Sequence, residues 1–370
     1  MTPVEEVVLG LVRRRGPLPA DEVIDLALYS DDGFYASGGS AGRRGDFLTS
    51  PEVGPLFGVL VGRALDGWWR ALDEPDPFVV VEGGAGAGTL ARAVLAAAPS
   101  CAGALRWVCV ERSARLRGVA AARLPVEPPP QVLGGPRGGG PVVAVLDDLP
   151  AGPITGVVLA NELLDNLPPL IVERTPAGWS EVRVGEDRGH LSEVLVPSAA
   201  VARLAGRWAD RAAPGSRIPL ARRADRWIER ARRSLDAGWV VCIDYGRATT
   251  MELTERGVEG WLRTYRAHGR GGGWLDDLGL QDITSDVPAD QLQPASIETQ
   301  SSWLGRLGID ELAGAARRTW HERAAIGDLP ALQARSRVTE AAALTDEAGL
   351  GAFLVLSWAV GGTPSLLPAP

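Results

Sequence analysis

The sequence predicts an α/β protein: a largely parallel, Rossmann-like sheet with a helical N-terminal segment and inserted antiparallel and helical elements. Three observations carry this. Strand-like stretches rich in apolar residues recur at 78–81, 105–112, 142–146, 154–160, 238–246 and 352–360, as expected of strands buried on both faces. Glycines at 83, 84, 86 and 88 follow the first run and open into a helical pattern at Thr89. Polar residues, Glu111, Asp147, Asn161 and Asp244 among them, stand where runs end, at the edge where open parallel sheets bind ligands.

In chain order, residues 4–15 and 20–29 read as two helices separated by Gly16, Pro17 and Pro19. Residues 31–49 are glycine-rich and without periodicity, a long loop of the kind that often serves as a lid. Ser50 as cap and Pro51 at the first helical position start an amphipathic helix through Val53, Leu56, Phe57, Leu60, Val61, Ala64, Leu65 and Trp68. The strands at 78–81 and 105–112 follow, then a proline- and glycine-rich loop over 125–141. Strands at 142–146 and 154–160 come next, the latter running into NELLDNLPP. Residues 170–196 alternate like an antiparallel meander, and 199–236 carry many arginines on a solvated helical face. A strand at 238–246 precedes short polar elements at 261–268 and 281–292, helices near 301–307, 309–325 and 328–343, and a last strand at 352–360. The expected division is an N-terminal helical segment and lid over 1–77, a core over 78–168 and 238–360, and an insertion over 169–237.

A chain of 370 residues is long enough for one large unit with insertions, or for two domains. Its net charge of −8 argues against nucleic acid as the main partner, and all 38 basic residues are arginine. Cys101, Cys109 and Cys242 fit neither a zinc site nor a disulfide framework, so reduced core thiols are expected and no metal. The first residues lack a signal-peptide pattern and no apolar run approaches a membrane span. A cytoplasmic location is expected.

The glycine spacing narrows the chemistry. Gly84, Gly86 and Gly88 read G-x-G-x-G after Glu82, whereas the dinucleotide fingerprint is G-x-G-x-x-G. The tighter spacing is that of the first-strand motif of S-adenosylmethionine-dependent methyltransferases, with Glu82 expected at the cationic end of the cofactor. The turn also reads as a structural βα turn. Glu111 follows Gly88 by 23 residues, close to the distance at which nucleotide-binding α/β folds place an acid on ribose hydroxyls; a surface glutamate ending a strand is the alternative. Asn161, Glu162 and Asp165 sit just past a buried strand. Asp46, Glu82, Gly84, Gly86, Gly88, Thr89, Glu111 and Asn161 form the candidate cofactor set, and Glu162 and Asp165 are the candidate catalytic pair.

Several separated stretches together resemble one family. LALYSDDGFYASGG, GRRGDFLTSPEVGPLFG, VEGGAGAGTLARAVL, LANELLDNLPP, GWSEVRVGEDRGHL, VVCIDYG, LRTYRAH, QDITSDV and GLGAFLVL occur in the order of similar motifs in the MidA-like methyltransferases. The resemblance implies a class I methyltransferase sheet, S-adenosylmethionine as cofactor, and an arginine of a protein as acceptor, as for the mitochondrial member that assists respiratory complex I assembly. This chain departs from the family at the glycine turn, which lacks the usual leucine, proline and arginine, and at Pro219 and Asp286, where an acid and a histidine are usual. A small-molecule methyltransferase and a cofactor-binding but inactive assembly factor are the competing readings, and a homodimer is left open. For an arginine acceptor, the guanidinium stays protonated and offers only donors. Glu162 and Asp165, taken as one helical turn apart, would then supply a carboxylate pair on one side of the cleft.

Overall fold

The computed structural model describes residues 1–39, 49–266 and 269–364. It divides into two compact units, one of residues Met1–Phe47, Leu163–Glu229 and Tyr245–Pro294, the other of Leu48–Glu162, Arg230–Asp244 and Ala295–Pro370. The second unit is built on a seven-stranded sheet: β1 (Phe78–Gly83), β2 (Leu105–Val110), β3 (Val142–Leu146), β4 (Ile154–Asn161), β5 (Leu235–Asp244), β6 (Ser296–Thr299) and β7 (Leu354–Val360). Their spatial order is β3-β2-β1-β4-β5-β7-β6. The first five pair in parallel, while β7 runs antiparallel to both β5 and β6. The connections from β1 and from β4 leave in opposite directions, so the switch point falls between these neighbours. The apolar runs of the sequence are these strands, and β6 is an edge strand that its four residues do not announce.

One face of the sheet carries the main core, in which Phe57, Leu60, Val61 and Trp68 of helix Pro55–Ala71 meet Val80, Trp107, Val157 and Trp239. The amphipathic helix expected from Ser50 onward is in fact two, Ser50–Val53 and Pro55–Ala71. Ser50 is the first helical residue, after Thr49, which makes no side-chain cap. The break lies at Gly54, where a Cβ would come within 2.3 Å of the Glu340 carboxylate. Glu340 Oε2 accepts from the Leu56 amide at 2.9 Å, so a carboxylate from far along the chain starts the second helix. The expected loop at 125–141 also contains a short helix, Pro129–Gly134. All three cysteines are free and buried, and burial raises their thiols.

In the first unit, helix Pro3–Arg15 begins with a capping box between Thr2 and Glu5, and Ala20–Tyr29 follows. Inside the expected loop after it lies a four-residue helix, Phe34–Ser37; residues 40–48 of the candidate lid, Asp46 included, fall outside the described residues, as does His268. The antiparallel meander is present as Leu170–Thr175, Gly178–Asp187 and His190–Pro197, with Leu18–Pro19 and Arg217–Leu220 completing a five-stranded sheet. A smaller sheet joins Leu262–Arg266 to Asp282–Ser285. Ile24, Leu28, Val184, Trp261 and Ile283 belong to the shared core of this unit.

At the centre of the parallel sheet two glycines permit close packing of β1, β4 and β5. A Cβ on Gly156 (φ +153°) would sit 1.9 Å from the Val79 carbonyl oxygen, and one on Gly238 (φ +133°) 1.7 Å from that of Gly156. Neither clash can be relieved by a side-chain rotation, because the atoms met are backbone. Gly156→Ala is expected to cost about 3 kcal/mol or more in chemical denaturation; a loss of under about 0.5 kcal/mol, the range of surface substitutions, would contradict this packing.

Candidate functional site

The turn after β1 is built from three left-handed glycines, Gly84 (φ +67°), Gly86 (φ +54°) and Gly88 (φ +73°). They serve different ends. A Cβ on Gly88 would strike Leu124 at 2.7 Å, whereas one on Gly86 would meet nothing within 4 Å. Gly86 therefore borders open space. The helix Thr89–Ala97 starts here without a side-chain cap from Gly88, and its first amides have no carbonyl partners within the helix.

Glu111, one residue past β2, closes the turn from the side. Its Oε2 accepts from the Gly86 amide at 2.9 Å and its Oε1 from the Ser113 amide at 2.7 Å. Burial raises its pKa, opposed by those backbone bonds and by Arg117. A carboxylate oxygen has a second lone pair, so holding the turn does not prevent Glu111 from accepting from a ligand hydroxyl.

Glu82 stands differently from its expected place at the cofactor's cationic end. Its side chain lies on the core face of β1, 5% exposed, and Oε2 accepts from the Trp107 indole at 2.9 Å. Burial pushes its carboxyl up to about 8, against hydrogen bonds from Trp107, Cys109 and the Ala91 backbone. The indole partner lies 25 residues away on the adjacent strand, which is why a strand-end glutamate reads as cleft-facing in sequence.

β4 ends beside this turn, with Gly83 opposite Ala160. Asn161 donates from Nδ2 to Glu162 Oε1 at 3.0 Å, and the Ser50 amide donates to the same oxygen at 3.0 Å. Glu162 has a φ of +53°, a conformation that costs a non-glycine residue free energy and concentrates at functional sites. The segment that reaches it, residues 50–52, makes two further bonds: Ser50 Oγ to Gln300 Oε1 at 3.0 Å, and Thr89 Oγ1 to Glu52 Oε1 at 2.6 Å. In the sequence Ser50 reads only as a helix cap, and Glu52 carries no separate signal. The signal that could have found them is the GDFLTSPE motif itself, more specific than a cap requires.

The helical turn expected between Glu162 and Asp165 is absent. Between them the backbone is left-handed at Glu162 and continues into a three-residue 3-10 turn, Leu164–Asn166, so no helical turn aligns the two. Asp165 belongs to the first unit, where the Tyr245 hydroxyl donates to its Oδ2 at 2.6 Å. Burial pushes the Asp165 carboxyl up to about 6, opposed by Tyr245 and Arg263. Arg263 lies 4.7 Å over the Tyr245 ring and pairs with buried Asp286, which Arg256 also reaches at 3.3 Å. Asp286, at the position where the resembled family has a histidine, is thus the anchor of two arginines. Pro219 sits in strand Arg217–Leu220 and gives its carbonyl to Gln291.

The second unit's residues fit the expected cofactor. Asn161 Oδ1 is buried with no hydrogen-bond partner among the described residues. Its orientation is fixed, because rotating the amide would set two acceptors, Oδ1 and Glu162 Oε1, together. It is left to accept from a ligand donor such as an ammonium group. Glu111 offers acceptors for hydroxyls, Gly86 the open approach, and the start of helix Thr89–Ala97 amides for a carboxylate. Among the described residues no group of His, Cys, Asp or Glu could hold a metal ion, and no helix is long and apolar enough to cross a membrane.

Known proteins align with this picture. A family model described as "Putative S-adenosyl-L-methionine-dependent methyltransferase" matches residues 60–306. The chain is 29% identical over 339 residues to the bovine mitochondrial protein arginine methyltransferase NDUFAF7, covering 84% of this chain and 74% of that protein. The human NDUFAF7 is likewise 29% identical, over 340 residues, with the same coverages. A Burkholderia thailandensis protein whose crystal structure holds S-adenosyl-homocysteine superposes with a TM-score of 0.78 at 25% identity, covering 98% of this chain and 93% of that one.

The buried Glu82 gives a stability test. Its folded pKa, about 8, lies above the ordinary glutamate value of 4.5, so the fold favours the neutral acid. The stability it contributes is full below the lower value and is lost as pH rises through the upper one. Glu82→Gln mimics the neutral acid. In cofactor-free protein, the parent should lose stability relative to this variant between about pH 5 and about pH 8, at up to roughly 1.4 kcal/mol per pH unit. Parallel stability–pH curves for the two proteins would contradict the burial of Glu82 as an acid.

Proposed function

Because the chain belongs to the S-adenosylmethionine-dependent methyltransferase family, whose model matches residues 60–306, we propose that it methylates a guanidinium nitrogen of a protein arginine. The observation that carries the reading is Glu162: a carboxylate at the switch-point edge of β4, in a strained left-handed conformation and fixed by two donors on one oxygen. The names of the bovine and human relatives support the acceptor class. When bound, the cofactor supplies a methyl group already activated by its sulfonium, so the protein's task is positioning in a site that excludes water.

In this reading Glu111 accepts from the ribose hydroxyls while keeping Gly86 in place, and Asn161 Oδ1 accepts from the cofactor's ammonium. Gly84, Gly86 and Gly88 let the backbone approach, and the Thr89 end of the helix faces the cofactor carboxylate. Glu82 supports β1 from the core side through Trp107. Glu162 accepts N–H donors from the substrate guanidinium, turns one nitrogen toward the methyl group and takes up the proton that nitrogen gives up. Asp165, whose Oδ2 accepts from the Tyr245 hydroxyl, is kept as the other candidate catalytic carboxylate, considered within the first unit alone.

Glu162→Gln keeps the shape and an oxygen for Ser50 and Asn161 while removing the charge. Its dissociation constant for S-adenosylhomocysteine should stay within about twofold of the parent, while single-turnover methylation falls roughly tenfold for each 1.4 kcal/mol of lost transition-state stabilisation. A variant that methylates at the parent rate would remove Glu162 from the catalytic machinery.

A further inference from the structure

Glu52 and the Ser50 hydroxyl take part in no step above, yet residues 50–52 make far-reaching bonds near the glycine turn. The Ser50 amide reaches a residue 112 positions away, Glu162; the Ser50 hydroxyl reaches one 250 positions away, Gln300; and Glu52 reaches Thr89, 37 positions on. All belong to the second unit. Ser50 and Gln300 are fully buried, and Gln300 is itself fixed by donating from Nε2 to the Leu344 carbonyl at 3.1 Å. The anchor is therefore rigid at its far end, while its two near ends hold the carboxylate at β4 and the first residue of the helix after the glycine turn.

The chemistry at the Thr89 end points beyond a simple helix start. Gly88 provides no side-chain cap, and Glu82 engages the Ala91 backbone from the core side. Thr89 is tethered instead by its hydroxyl, which donates to Glu52 at 2.6 Å, a charge-assisted bond of the short, strong kind. That leaves the Thr89 backbone amide to face the turn while its side chain is pulled away toward residues 50–52. The hydroxyl proton is committed to Glu52, which holds the Thr89 side chain in one rotamer.

We propose that Glu52 is a positioning residue: through Thr89 it sets the mouth of the glycine turn, and through the adjoining Ser50 amide the same short helix sets Glu162, so cofactor seating and substrate orientation are coupled by residues 50–52. The inference rests on the functional reading above for the roles of the turn and of Glu162. It names a residue outside the cofactor and substrate contacts whose effect passes through both.

The experiment is a double-mutant cycle read by calorimetry with S-adenosylhomocysteine and by single-turnover methylation at saturating cofactor. Glu52→Ala and Thr89→Val each remove one partner of a charge-assisted hydrogen bond, so each should weaken S-adenosylhomocysteine binding roughly tenfold, and the double variant should be little weaker than either alone. Glu52→Gln retains an acceptor oxygen and Thr89→Ser retains the donor, and both should bind within about twofold of the parent. Glu52→Ala should also slow the saturated single turnover, which a role confined to cofactor affinity would leave unchanged. Should Glu52→Ala fold poorly, Thr89→Val carries the affinity arm and Glu52→Gln the rescue. Fully additive losses, or parent-like binding by Thr89→Val, would overturn the proposal. An inactive role for Glu162 would show separately, as parent-rate turnover by Glu162→Gln with the Glu52–Thr89 coupling in cofactor affinity intact.

Discussion

The register of β1 against β4 is the constraint on which the site depends. With Glu82 opposite Leu159 and Gly83 opposite Ala160, the glycine turn and the Asn161–Glu162 step leave the sheet side by side. A slip of one residue would reverse the faces of every side chain on the strand, sending Glu82 away from Trp107. The register is enforced from below by Gly156 and Gly238, whose missing Cβ atoms let three strands approach, and from above by Glu111, which returns from the end of β2 to hold the Gly86 amide. The site is thus a consequence of strand pairing, completed by polar contacts that bridge strand ends.

Two glutamates near the turn show how partners divide the work of similar residues. Glu82 and Glu111 both lie at or just past the ends of neighbouring strands, both are buried and both have raised pKa values for that reason. Glu82 answers an indole within the core, so its charge is disfavoured and its service is to β1. Glu111 answers two backbone amides at the edge, where the charged form is favoured by hydrogen bonding and a ligand can reach it. Burial alone would not separate them; the direction in which each side chain leaves its strand does.

Much of this was legible in the sequence because its causes are local. Unalternating runs mark strands buried on both faces, and the glycines at 84, 86 and 88 mark a left-handed turn, so the sheet, the turn and the acids at strand ends follow from neighbours a few residues apart. What was not legible depends on distant partners or on single dihedrals. Glu82 faces the core because of Trp107, and the helix from Ser50 breaks at Gly54 because of Glu340. The helical turn supposed between Glu162 and Asp165 gives way to one left-handed residue and a 3-10 turn. Residues 50–52 read as an ordinary helix start because each of their partners lies in a different part of the chain.

The claim at the centre of this account is methyl transfer to a protein arginine. It is tested most directly by incubating the purified protein with S-adenosylmethionine labelled in the methyl group and a cell lysate, then separating protein from small molecules and hydrolysing the protein fraction. Label is expected in methylated arginine, and much less of it when Glu162→Gln replaces the parent. Label confined to the small-molecule fraction, or no transfer by a protein that binds cofactor normally, would contradict it.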